Sequence, residues 1–342
     1  MILNISRSQQ WQACKRKAWF YDEGFVQLGV AEPLITGSAY HKGTANLVVT
    51  KNVAEAKAAA EQCYRDELAK VPMVLPEEMS LHNQNITIVK RMLDAQGAQY
   101  ARDTWTVLKP EVEFLVALPG TEHHCYYVHR ILHPGEACSS VQAPCQDPRC
   151  IQPHYLKGRT DGILSWNNLI WILERKTSGM KQNIFWDQWY LNHQLSAYVY
   201  GARKATGLEI NGVVLEKMPK PARNQNPLTF DFSPEREPYL RSESDLAKFE
   251  REIIRITSDY ERCASDPDQF EAFYRNPQAC CNYNRRCDYW SACKRDSGRP
   301  EPGEFRTRDA DYVEKAYYEV LGLPLPPGME TACSSVENVV VD

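Results

Sequence analysis

Apolar residues recur at steps of three and four through roughly the first hundred positions and then pass to alternation, so the pattern predicts helices first and a sheet afterwards. Residues 6–22 read as a short helix, with Ser6 or Ser8 as its cap and Trp11, Cys14, Ala18 and Phe20 at apolar positions. Residues 37–49 predict a second helix, entered through GSAYHKG. The stretches 53–71, rich in Ala, Glu and Lys, and 81–105 predict two more. EVEFLVAL (111–118) then alternates as a strand until Pro119-Gly120 ends it. Residues 156–166 and 169–177 read as two strands joined at Asn167-Asn168, a pair suited to a hairpin turn. An amphipathic helix over 188–206 closes at Gly207, INGVVLEK (210–217) is a further strand, and 244–263 a further helix. The order predicts an α/β fold with a mixed central sheet flanked by helices.

This suggests a helical part over 1–110, a core over 111–218, a helix and cysteine-rich segment over 219–300, and a tail over 301–342. Inside the core, 119–155 is irregular and rich in Cys, His and Pro, and reads as an insertion.

Composition adjusts this picture little. The 342 residues, 43% of them hydrophobic, suffice for a sizeable core. A formal net charge of −4 gives no global attraction to a polyanion, so a nucleic-acid surface has to be a local basic patch. No apolar run approaches the ~20 residues of a membrane span. The first residues are polar where a signal peptide needs its apolar stretch, so a cytoplasmic protein is expected. In a reducing compartment the clustered ones among the twelve cysteines read as metal ligands or catalytic thiols rather than a disulfide framework.

The candidate chemistry lies on the central hairpin. Asp161 is in the first strand (GRTDGIL), while Glu174 and Lys176 stand two apart in the second and so share a face. They continue the run LIWIL, which has the look of a buried strand. Two carboxylates this close call for a divalent cation, and oxygen donors of this kind suit Mg²⁺ or Mn²⁺. A lysine beside the metal offsets charge on an attacked phosphate. Glu113, on the preceding strand, is either a further carboxylate of this site or an exposed strand residue. Gln194 and Tyr198, four apart on a helix, share a face that either reaches the site or packs in the core. Trp186, Trp189 and Tyr190 are either stacking platforms for unpaired bases or core residues.

With these motifs the chain resembles the PD-(D/E)XK nuclease superfamily in its RecB-like exonuclease branch. Six motifs stand in the family's order across residues 6–293: CKRKAWFY around Cys14, His41 in GSAYHKG, Asp161 in GRTDGIL, Glu174-Arg175-Lys176, Gln194 with Tyr198, and the terminal cysteines. The 119–155 insertion departs from the pattern. The resemblance implies a restriction-endonuclease-like core with helical N-terminal additions and a cysteine-rich C-terminal segment. It implies that His41, Asp161, Glu174 and the backbone carbonyl of Arg175 hold the metal. Lys176 becomes the catalytic lysine, with Gln194 and Tyr198 in the catalytic set.

Cys281, Cys287 and Cys293 repeat at six-residue intervals, and Cys280 is an alternative to Cys281. The resemblance supplies Cys14 as the fourth thiolate of a 4Fe–4S cluster, while zinc competes for such a four-cysteine site. A metal joining the two segments gathers Lys15, Arg16, Lys17, Arg285, Arg286, Lys294 and Arg295 into one DNA-binding patch. In the insertion, Cys138, Cys145, Cys150 and His154 have the makings of a small zinc knuckle, with His123, His124, His129 and His133 as alternative ligands.

The expectation is therefore a metal-dependent DNA nuclease, in the exonuclease mode, for recombination, repair or phage DNA processing in a bacterial or phage-infected cell. It acts on single strands or ends. The chain has no helicase P-loop, so any unwinding comes from a helicase or recombinase in trans. Two other readings compete: a catalytically silent nuclease fold that holds DNA or a helicase, and a CRISPR-adaptation nuclease.

Overall fold

A computed structural model of the chain describes residues 1–27, 32–70, 76–134, 147–180, 182–222, 225–266, 268–282, 285–295, 305–307 and 312–326. A two-residue strand β1 (Ile2–Leu3) leads into two helices, α1 (Ile5–Ala13) and α2 (Lys15–Asp22). The single helix expected over 6–22 is thus broken. Cys14 is extended (φ −164°, ψ 116°), and Asn4, rather than Ser6 or Ser8, caps α1 by accepting from the Arg7 amide. After β2 (Phe25–Gln27), helices α3 (Glu32–Thr50), α4 (Val53–Ala69) and α5 (Pro76–Tyr100) pack on one another through Tyr40, Leu47, Ala60, Tyr64 and Leu93.

The β-rich part begins with β3 (Thr106–Lys109) and β4 (Val112–Ala117). The insertion forms β5 (His123–His124), α6 (Tyr126–Leu132), one 3₁₀ turn at Pro148–Cys150 and β6 (Ile151–Gln152). Then come β7 (Tyr155–Thr160), β8 (Gly162–Trp166) and β9 (Leu169–Ser178), helices α7 (Gln182–Tyr190) and α8 (His193–Thr206), and strands β10 (Ile210–Pro219) and β11 (Glu235–Leu240). A long helix α9 (Glu243–Ala264) is followed by α10 (Gln269–Ala272), β12 (Cys281–Asn282), β13 (Arg285–Arg286), α11 (Trp290–Arg295), β14 (Phe305–Thr307) and α12 (Tyr312–Leu321).

The five-stranded sheet runs β11-β10-β9-β8-β3. β10 and β9 are parallel and the other pairs antiparallel, so the fold is α/β with a mixed sheet flanked by helices. Asn167 and Asn168 both take positive φ (51° and 60°), as the short β8–β9 turn demands, and Gly207 closes α8 at φ 69°. A second sheet, β1-β7-β4, shares the chain of the first, because β7 runs straight on into β8. Thr160 pairs with Val112 in one sheet and Gly162 with Leu173 in the other. Asp161 is the residue at which the chain changes sheets.

Helix α8 lies over β4, β7 and β10. It can approach closely because Gly158 on β7 and Gly201 on α8 leave a slot for the Phe114 ring. A Cβ on Gly201 would come within 2.2 Å of that ring, and one on Gly158 within 2.3 Å. Helix α3 crosses β9 from the α3–α5 layer. Part of the expected tail is built into the fold: β14 pairs with β2, and Tyr317 of α12 donates its core position and accepts the Ile2 amide at 2.8 Å. No helix among the described residues is long and apolar enough to cross a membrane.

Candidate active site

Residues from four segments converge where the chain changes sheets. Register sets the first step. β9 carries Glu174, Arg175 and Lys176 against Leu215, Glu216 and Lys217 of β10, so alternation divides these six residues between two faces. Glu174 and Lys176 share one face with Lys217, and Arg175 shares the other with Glu216.

On the first face, the Glu174 carboxylate is 2% exposed and its Oε1 lies 2.6 Å from Lys176 Nζ. The Gln194 amide of α8 donates to the same Oε1 at 3.0 Å and to the Tyr198 hydroxyl at 2.9 Å. Gln194 can do this because Asn192 caps α8 and fixes where the helix begins. Beside these groups, Lys176 Nζ sits over the Trp189 ring at 5.5 Å and Lys217 Nζ over Phe185 at 5.4 Å.

At the strand junction, Asp161 Oδ1 meets His41 Nδ1 of α3 at 2.9 Å, and Asp161 Oδ2 accepts the Arg175 backbone amide at 2.7 Å. The structure therefore brings His41, Asp161, Glu174, Arg175, Lys176, Gln194 and Tyr198 together. Glu113 is not among them: it is exposed on β4 and faces Arg159 at 4.0 Å.

The second face holds a buried ionic network that spacing along the sequence did not reveal. Arg175 is 1% exposed and Glu216 fully buried. Arg175 Nε donates to Tyr100 at 2.9 Å and lies 3.6 Å from Glu216, while Arg236 Nε donates to Glu216 at 2.6 Å and its terminal nitrogens grip Asp103 at 2.5 and 2.9 Å. This network ties α5, β9, β10 and β11 together behind the site. Arg236 belongs to an edge strand, EREPYL, whose charges and proline hide it from a periodicity reading.

The electrostatics of the two carboxylates diverge. Burial raises the Glu174 pKa to about 7; the Lys176 charge opposes that rise, and the neighbouring Asp161 adds to it. Burial also opposes ionisation of Asp161, yet His41, Arg175 and Lys176 outweigh it and hold that carboxyl below its usual range. Lys176 is buried too, but its attraction to Glu174 keeps its pKa above the ordinary value, so it stays a cation.

No family model matches the chain, and no curated protein matches it. Among solved structures, the chain is similar to a crystal structure named "Putative exonuclease" from Eubacterium rectale, with a TM-score of 0.45 and 12% identity over 88% of this chain and 90% of that one.

The chain's N-terminal helices and its cysteine segment meet. The Asn276 amide donates to Cys14 Sγ at 3.3 Å and the Asn276 side chain donates to the Ala13 carbonyl at 2.9 Å. The extended backbone at Cys14 is what turns its thiol away from the helix axis and toward this segment. Burial raises the Cys293 pKa to about 11, and the nearby thiols of Cys14, Cys280 and Cys287 add to it. Cys281 is exposed. Regular six-residue spacing favours Cys281, with Cys280 as its alternative; Cys280 is the half-buried one of the two, and burial first, then its neighbours Cys14 and Cys281, raises its thiol pKa.

The basic residues divide. Arg16 is 3% exposed, stacks on Phe270 and donates to the carbonyls of Phe270 and Phe273, so it is part of the junction and not of a phosphate-binding surface. Lys15 pairs with Asp259 at 2.5 Å and Lys17 with Asp288 at 3.2 Å. Arg286 and Lys294 flank the Trp290 ring at 4.5 and 5.1 Å, and Arg295 is exposed beside them. The Arg285 side chain lies outside the described residues, as do Cys138 and Cys145. Cys150 and His154 are described, and they part company. Cys150 groups with His124 and His129, whereas His154 groups with His123 and Glu261.

Proposed function

We propose that this chain is a metal-dependent deoxyribonuclease of the PD-(D/E)XK kind, acting on DNA ends or single strands. One observation carries the reading: His41, Asp161, Glu174 and Lys176, drawn from three distant segments, form one continuous set of contacts around a strand junction. The buried Glu174 carboxylate, the half-buried Asp161 carboxylate and the His41 imidazole make a mainly oxygen, anionic donor set that fits Mg²⁺ or Mn²⁺. The raised pKa of Glu174 fits too: burial, with Asp161 adding to it, outweighs the Lys176 charge beside it, and a bound cation would offset that cost. His41, Asp161 and Glu174 would hold the ion, with the Arg175 carbonyl as a further donor. A cation bound there supplies a Lewis acid and an acidified water for phosphodiester hydrolysis.

The remaining roles belong to the chain itself. Lys176 keeps its charge, so it is not the base; it faces the negative charge that grows on the phosphate. Gln194 holds the Glu174 carboxylate in one orientation, and Tyr198 holds Gln194. The exposed cations Arg286, Lys294 and Arg295 are suited to phosphates of the bound strand. Cys14, Cys280, Cys287 and Cys293 would carry a 4Fe–4S cluster, or zinc, that joins the chain's two ends.

The test is a time course on end-labelled and circular DNA, single- and double-stranded, with Mg²⁺ or Mn²⁺. Metal-dependent release of products from labelled ends is expected. Tight binding without cleavage under every condition would instead support the silent DNA-binding reading.

A further inference from the structure

The insertion at 119–155 holds chemistry that the nuclease reading does not use. Cys125, Val128 and Cys150 of its described part share a small core with Ile2, Ala316 and Tyr317, and Tyr127, Ile131 and Leu132 pack against it. Three short elements meet there, and their backbones touch only at a few points, such as the Cys125 amide on the Cys150 carbonyl at 2.8 Å and the pairing of His124 with Ile151. Each of the three elements turns one soft or borderline donor toward the same point. His124 comes from β5, His129 from α6 and Cys150 from the end of the 3₁₀ turn.

We propose that His124, His129 and Cys150 form a zinc site that staples the insertion. Their donor atoms all lie within 4.8 Å of one another, and Cys150 Sγ is 4.0 Å from His129 Nδ1. A tetrahedral zinc with Zn–N near 2.0 Å and Zn–S near 2.3 Å needs donors roughly 3.3–3.8 Å apart. A small contraction therefore closes the site. His129 is 3% exposed, and its Nε2 has no hydrogen-bond partner among the described residues, a buried nitrogen that a metal ion would satisfy. Around the donors, His133 stacks on His129 at 4.9 Å and reaches Asp147 at 3.4 Å, as groups that orient a ligand do. Two imidazoles and one thiolate select zinc over the hard cations suited to the carboxylates of the nuclease centre.

This ligand set differs from the one that cysteine spacing suggests. The His154 ring lies tilted against His123, centroids 4.0 Å apart, in a group with Glu261, and takes no part.

The experiment is metal analysis of the full chain, purified anaerobically and dialysed against a weak chelator. About one zinc per chain is expected, separate from any iron, with an X-ray absorption shell of one sulfur per zinc. His124→Gln, His129→Gln and Cys150→Ser should each remove that zinc, while His154→Gln and Cys63→Ser keep it. Circular dichroism of each variant reports folding. Should Cys150→Ser fail to fold, the absorption shell of the unaltered protein still decides. A shell of four sulfurs would put the zinc at the C-terminal thiols and overturn the proposal. So would a zinc-free protein, or zinc lost from His154→Gln but retained by His129→Gln.

Discussion

His41 and Asp161 stand 120 positions apart and meet at 2.9 Å, so the α3–α5 layer and the strand junction have to be built together before this contact exists. Asp161 is held from the other side by the Arg175 amide at 2.7 Å. A carboxylate gripped in this way has little freedom, and its conservative replacement tests chemistry rather than fold. Asp161→Asn, Glu174→Gln and Lys176→Ala should each lower the cleavage rate by a factor on the order of 10²–10³ or more, with DNA binding largely kept. Single-turnover assays on end-labelled DNA are the check. Wild-type rates in any of the three would remove that residue from the mechanism.

The Gln194 amide donates to Glu174 and to Tyr198, so it is suited to act through that carboxylate as a positioning residue. Gln194→Ala should therefore cost about 10–100-fold in metal affinity. The readout that separates positioning from simple destabilisation is the Mg²⁺ titration. Activity should recover at high Mg²⁺, and Gln194→Glu should fail to rescue it, because it places a third carboxyl against Glu174.

The two carboxylates make opposite statements about pH. The folded Glu174 pKa of about 7 lies above its ordinary 4.5, so folding favours the proton over that interval. Its contribution is complete below the lower value and is lost as pH rises through the upper one. Asp161, held low, is already ionised across that window and adds no slope there. In chelator, urea unfolding should show stability falling between about pH 5 and 8. Glu174→Gln should flatten the profile. A slope unchanged in that variant would assign it to another group.

Gly201 and Gly158 make room for Phe114, and this slot sets how closely α8 approaches the sheet and hence where Gln194 sits. An alanine at 201 improves helix propensity but drives a methyl into the ring. Gly201→Ala should destabilise the chain by about 1–3 kcal/mol. The double variant with Phe114→Leu should regain part of that loss. Chemical denaturation of the two variants tests it, and a stabilised single variant would mean the ring moves aside freely.

Much of this centre was legible in the sequence because local rules govern it. The two-residue spacing of Glu174 and Lys176, the Asn167-Asn168 turn and the Gly207 cap depend only on neighbours along the chain. The features that were not legible depend on tertiary placement. The break at Cys14 lies in a segment with helical periodicity, and only the partner segment at Asn276 explains the extended backbone there. β11 is masked by Glu235, Arg236, Glu237 and Pro238, yet it supplies the Arg236 that neutralises the buried Glu216. The partition of Cys150 and His154 between two clusters follows from the β5–β6 pairing, which no spacing rule encodes.

The choice between Cys280 and Cys281 gives the last prediction, because regular spacing favours one and burial the other. Spacing favours Cys281, which is exposed at the start of β12. Cys280 sits where the 3₁₀ turn at Pro277–Ala279 ends, and its carbonyl accepts the Cys287 amide at 2.8 Å, so the two cysteines are tied together through the backbone. A metal held by Cys14, Cys280, Cys287 and Cys293 closes a loop of most of the chain, and the metal–thiolate bonds have to offset its entropy. Loss of any of these four ligands should therefore lower the stability of the whole protein and not only of the C-terminal segment. With iron bound, anaerobically purified protein should be brown, with broad absorbance near about 400 nm. Cys14→Ser and Cys280→Ser should both bleach it and lower the melting temperature. Cys281→Ser should keep the colour and the iron content. The opposite pattern, with Cys281 essential and Cys280 dispensable, would require β12 to turn over when the cluster is in place.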